Sequence, residues 1–169
     1  MIVVHLEKYE LGMAANVGSH RQLSAILKKS EPRFAEQFPG QLHDNHIRAA
    51  MAELAVAKHL NVYWGGHVDT YQTMPDVGEY EVRYSTRNDL KIKDNDHGRV
   101  ISVTGVPPDF YIAGWYDADQ AKQDKYKKDF GNGGPPAYFI PHKSLHPIEH
   151  IEATDITPEL QAARNLGLF

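Results

Sequence analysis

Three acids and one base stand at a spacing suited to holding a divalent cation beside a phosphate. Glu53 lies in an alanine-rich stretch, Asp76 follows Pro75, and Glu81 and Arg83 flank Val82. On a strand, side chains at 81 and 83 share one face while Tyr80, Val82 and Tyr84 supply the other. If the chain turns back through Val77-Gly78, Asp76 and Glu81 meet at one ion, and glycine makes such a bend easy. Mg²⁺ (Mn²⁺ as a substitute) takes oxygen ligands and keeps several waters. It lowers the pKa of a bound water and neutralises charge on a scissile phosphodiester. Arg83 stays protonated, so its part in such chemistry is electrostatic rather than proton abstraction.

The same residues also fit blander roles. An acid–x–base triplet suits a solvated strand face with a cross-strand ion pair. Glu53 has Ala49, Ala50, Val56 and Ala57 as its helical neighbours. It either reaches the cation, directly or through water, or lies at the stripe's edge facing solvent, because a buried carboxylate needs a partner.

The elements that must position these residues follow from periodicity. Residues 5–15 and 19–29 read as two helices broken near Gly18. Pro32, Pro39 and Gly40 mark a loop, with a helical turn around Phe34. The clearest helix runs from a cap at Asp44 to Leu60, followed by Val62-Tyr63-Trp64 as a short strand or link. The period then becomes two through Tyr80–Ser85 and Leu90–Lys93. Asp94-Asn95-Asp96-His97-Gly98 is a turn signal, which predicts a hairpin returning along Val100–Thr104. Phe110–Trp115 is a further strand. Asp117–Lys128 reads as a solvated helix or helical turn, Gly131–Pro136 as a loop, Tyr138–Ile140 as a strand, and Pro158–Leu166 as a last short helix. The order predicts one α/β or α+β domain over 1–169. Its mixed central sheet is flanked by helices, and residues 1–43 form a helical N-terminal extension.

Glu53, Pro75-Asp76 and Glu81-Val82-Arg83 resemble, in order and spacing, the PD-(D/E)xK nuclease superfamily with its restriction-endonuclease-like core. The resemblance spans about 44–115. Gly114-Trp115 after an apolar strand is similar to small nuclease-like proteins of phages and prophages. The resemblance implies a Mg²⁺-dependent nuclease acting on nucleic acid, with DNA as the expected polymer. Asp76, Glu81 and the carbonyl of Val82 would be metal ligands, and Glu53 the auxiliary acid. Arg83 stands where the family has lysine, and Lys91 or Lys93 are alternative sources of that amine. A nuclease-like protein that only binds DNA or a protein partner is the second expectation.

Positive charge at Arg83, Arg87, Lys91 and Lys93, with Thr86, offers a path for a phosphate backbone. His46 is a candidate for touching substrate or a water near the metal. Asp69 is an alternative to Asp76 as a ligand. His43 and His46 lack further ligands for zinc, and no HExxH spacing exists. His142, His146 and His150 read as loop residues, and Trp64 and Trp115 as core or rim. The formal net charge of −4 excludes a general polyanion glue but leaves room for a local basic groove. With no cysteine, disulfides, thiolate metal sites and cysteine catalysis are excluded. No membrane span or signal peptide is apparent, so the cytoplasm is the expected location. A homodimer would suit cutting of both strands.

Overall fold

A computed structural model of the chain describes residues 1–28, 39–68, 74–128 and 135–150. The alternatives at Asp69 and Phe34, the helix at 158–166 and most of the loop at 131–136 lie outside them. The elements are β1 (Ile2–His5), α1 (Lys8–Leu27), α2 (Pro39–Leu60), β2 (Glu81–Tyr84), β3 (Asp89–Lys93), β4 (Arg99–Val106), β5 (Asp109–Asp117), α3 (Ala118–Ala121), β6 (Lys127–Lys128) and β7 (Ala137–Pro141). The fold is α+β. A mixed sheet in the order β1-β5-β4-β2 has β2 parallel to β4 and its other neighbours antiparallel. A smaller antiparallel sheet is ordered β3-β7-β6.

Helices α1 and α2 lie antiparallel across one face of the central sheet. Lys58 meets Glu10 at one end of the pair and His43 meets Ser19 towards the other. Their small and apolar residues, Ala14, Ala50, Ala55 and Val56, pack with Val82, Ile101, Val103, Phe110 and Ile112. On the far side of β4, Val100 joins Leu90, Ile92, Tyr138 and Ile140 in a second core shared with α3. Fully buried Ser102 meets His142 at 3.1 Å between the two sheets. Burial pushes the His142 imidazole below its ordinary pKa. Among the described residues no helix is long and apolar enough to cross a membrane.

Several local expectations change. Residues 8–27 form one helix, started by a reciprocal capping box between Glu7 and Glu10. Gly18 does not break it. A Cβ there would sit 2.5 Å from the Ile47 Cα and 2.8 Å from the His46 carbonyl oxygen, so this glycine lets the two helices touch. Gly18→Ala is therefore expected to cost about 1–3 kcal/mol by overpacking, read as a lower urea midpoint. An unchanged midpoint would mean the crossing is looser than drawn. The first 43 residues are not only a helical extension, because β1 is a strand of the central sheet. Helix α2 begins at Pro39 rather than at Asp44. Strands β3 and β4 do not form a hairpin, since β3 pairs with β7 and β4 lies between β5 and β2. Of the helix or helical turn expected at 117–128, the shorter alternative holds, as α3 and a 3₁₀ turn at 124–126, and the segment ends in the strand β6. Of the two alternatives for Val62–Trp64, the link holds and no strand forms.

Candidate active site

Asp76 and Glu81 meet because the chain makes a tight turn between them. Val77 and Tyr80 exchange backbone hydrogen bonds of 3.1 and 2.9 Å around Gly78-Glu79. Gly78 takes a φ of +58°, which a side chain would strain. The next pair outward, Asp76 and Glu81, therefore stands directly opposite, where side chains approach most closely. The turn at Gly78 expected from sequence is the device that joins them.

β2 is the open edge of the central sheet. Ser85 donates its N–H to the Val103 carbonyl on β4. Backbone direction alternates along a strand, so the N–H and C=O of Val82 point the other way, to the free edge. The Val82 N–H donates to Asp76 Oδ2 at 2.8 Å. The Val82 carbonyl thus faces the same edge as Asp76.

Glu81 is pushed up to about 7, first by burial and then by the charge of Asp76 beside it. A partly buried carboxylate facing the charge of a second one forms a site that a cation would relieve. Arg83 shares their face and lies 3.6 Å from Glu81. Its stronger partner is Asp96, at 2.9 Å. Asp96 is itself fixed by the Lys93 N–H at 2.8 Å. The Arg83 Nε–H is buried and has no acceptor among the described residues. Arg83 is thus held in place as a cation and keeps one donor unmatched.

Glu53 is buried, at 3 % exposure. Both of its oxygens receive the guanidinium of Arg21 from α1, the Nη2 bond measuring 2.7 Å. Trp64 Nε1 adds a bond of 3.2 Å. The open question of Glu53 resolves against the solvent-facing alternative, since the carboxylate is interior and paired. Burial still leaves its pKa above the ordinary value, with the Arg21 bonds opposing. The charge of Asp76 acts on both Glu53 and Arg21, so this pair borders the acid pair.

Among the described residues no three His, Cys, Asp or Glu side chains converge on one metal position. The third acid is turned to arginine instead. Two carboxylates and one backbone carbonyl still match what Mg²⁺ takes from protein, because it binds through one or two carboxylates and keeps water elsewhere. The donor set therefore fits the ion.

Two clefts flank the end of β2. One, of about 180 Å³, has Arg83, Arg87, Lys91 and Lys93 on its walls with Leu90 and Phe139 beneath. Asp89 is its acid, and it pairs with Arg87 at 2.8 Å. Arg87 and Lys128 both lie over the Phe139 ring, at 4.8 and 4.7 Å from its centroid. The other, of about 410 Å³, runs between α2 and β2 past Asn45, Ala49, Ser85 and Thr86. The basic residues picked from sequence thus share one cleft, and Thr86 lines its neighbour. His46 instead sits at the α1–α2 crossing, with its carbonyl facing Gly18.

Sequence reasoning does not find Arg21, Trp64 or Asp96 as partners of the acids. One signal exists for Arg21. A carboxylate in an alanine stripe demands a cation, and Arg21 lies one helical turn from the glycine at the helix contact. No family model, curated protein or solved structure matches the chain.

Proposed function

We propose that the protein is a Mg²⁺-dependent phosphodiesterase acting on nucleic acid, with DNA as its substrate, built on a nuclease core of the PD-(D/E)xK kind. The observation that carries this reading is the facing of Asp76 and Glu81 across the Gly78 turn, with the Val82 carbonyl on the same edge. These three groups would hold the ion. When bound, it supplies a water of lowered pKa and neutralises charge on the phosphate.

The remaining work falls to the chain's own side chains. Arg83, braced by Asp96, presents a fixed cation beside the acid pair. In a partly buried site a preorganised donor stabilises developing phosphate charge more than it would in water. It does not abstract a proton. Glu53 is kept in place by Arg21 and Trp64 at the rim of the acid pair. The nucleic-acid backbone lies over Arg87, Lys91 and Lys93, whose positive potential positions it without reading bases.

The test is incubation of single-stranded, duplex and branched DNA with the protein in Mg²⁺, Mn²⁺ or EDTA. Metal-dependent cleavage is expected, and its absence on all three substrates overturns the reading. The basic cleft makes a separate prediction. Lys91→Gln/Lys93→Gln should reduce the salt slope of single-strand binding in EDTA by about 1.4, at about 0.7 per phosphate contact. Fluorescence anisotropy between about 50 and 200 mM salt measures it. An unchanged slope would move the backbone to the other cleft.

One observation favours a second reading, a nuclease-like protein that binds without cutting. The position that would carry a neutral amine is Arg83, and it is committed to Asp96 and Glu81. On that reading the parent binds DNA but does not cut it, and Arg83→Lys gains metal-dependent cleavage.

A further inference from the structure

Arg21 makes more of its planar fork than a link between helices needs. Its Nε–H donates to the His67 carbonyl at 2.8 Å, while both terminal nitrogens donate to Glu53. The two helices are joined independently, by the Gly18–Ile47 approach and by Lys58 with Glu10 at 2.7 Å. A buried ion pair that served only as a staple would be matched or bettered by apolar side chains of similar size. Glu53 stands among Ala50, Val56 and Ala57 of α2, which pack in one core with Val82, the residue next to Glu81 on β2, and the charge of Asp76 acts on both members of the pair. An ionised carboxylate offers about four lone-pair positions. Arg21 and Trp64 occupy three of them on Glu53, which leaves one on Oε1 among the described residues.

We propose that Arg21 is a positioning residue of the metal site. Resting on the reading of Asp76 and Glu81 as metal ligands, it holds Glu53 out of the ion's direct ligands and cancels its charge. The remaining lone pair of Oε1 would then be left for a water of the ion rather than for the ion itself. The cation's binding site carries two net negative charges, from Asp76 and Glu81, instead of three. Helix α1 thereby belongs to the active site.

The test compares Mn²⁺ affinity, from the electron paramagnetic resonance signal of free Mn²⁺, in the parent, Glu53→Gln and Arg21→Met/Glu53→Gln. Circular dichroism checks that each is folded. In Glu53→Gln, Arg21 becomes an uncompensated cation beside Asp76, and the Mn²⁺ dissociation constant should rise about tenfold. Removing Arg21 as well should bring it back to within about threefold of the parent. A directly ligating Glu53 predicts no recovery, and a merely structural pair predicts no change in either protein; both outcomes overturn the proposal. Arg21→Lys adds a kinetic reading, since it keeps the charge but loses the fork. It should lower kcat about tenfold while leaving KM and Mn²⁺ affinity within about twofold. Parent-like kcat would overturn the positioning role. Asp76→Asn/Glu81→Gln separates the two levels. If that protein binds Mn²⁺ like the parent, the metal-site reading itself fails. If it does not, and the Arg21→Met/Glu53→Gln protein shows no recovery, only the role of Arg21 falls.

Discussion

Asp76→Asn combined with Glu81→Gln is expected to abolish metal-dependent DNA cleavage, by about a thousandfold or more, while the protein stays folded. The size follows from removing both side chains that would hold the ion, when loss of one charge-stabilising donor alone already costs about 10²–10³ in rate. The intact fold follows from the geometry. Asparagine keeps an oxygen to accept the Val82 N–H, so the strand edge loses no bond. The neutral amide that replaces the Glu81 carboxylate faces no like charge, so the repulsion that raises the Glu81 pKa disappears. A thermal midpoint at or above that of the metal-free parent, with cleavage gone, locates the loss in chemistry and not in folding. Cleavage by the variant at the parent's rate would place the active centre elsewhere in the chain.

What is legible in the sequence is local, and what is hidden is long-range. The two-residue alternation around Glu81 and Arg83 marks β2 correctly, because a half-buried strand shows its period in its own residues. The alanine-rich helix carrying Glu53 is equally plain. The four-residue strand β1 has no comparable signal. It exists through its pairing with β5, with Val4 opposite Phe110, and nothing near Val4 announces that partner. Strand β3 shows good alternation, yet its neighbours in sequence suggest the wrong partner. The turn at 94–98 points to a return along β4, whereas the apolar faces of Leu90 and Ile92 are completed by Tyr138 and Ile140 on β7. Gly18 misleads for a related reason. Helix propensity counts glycine as a breaker, and only the facing backbone of Ile47 explains its presence. In the site, Asp76 and Glu81 are readable as a pair because turn and strand spacing brings them together. The cationic and indole partners of Glu53 come from α1 and from the link after α2, and are fixed only by tertiary packing.

In the absence of metal, the pair of acids should make the protein less stable as pH rises, and Mg²⁺ should reverse that slope. The folded state keeps a proton on Glu81 up to about 7, whereas the unfolded chain releases it from its ordinary value of 4.5. Between those values the folded state binds more protons, so the free energy of unfolding falls with increasing pH. The contribution is fully present below 4.5 and is lost as pH climbs through about 7. A divalent cation binds the ionised pair and takes the place of the proton on Glu81. At a thousand times its dissociation constant it should stabilise by about 4 kcal/mol, with the gain shrinking below about pH 7 as protons compete. Urea unfolding in EDTA and in Mg²⁺ between about pH 5 and pH 8 measures both trends. The Asp76→Asn/Glu81→Gln protein isolates this pair from every other carboxyl, and there both the pH slope assigned to the pair and the Mg²⁺ gain should vanish. A Mg²⁺ gain of equal size at both ends of the range, or one that survives in the variant, would assign the ion to another place on the surface. The acid pair would then be a strained edge of the sheet and not a metal site.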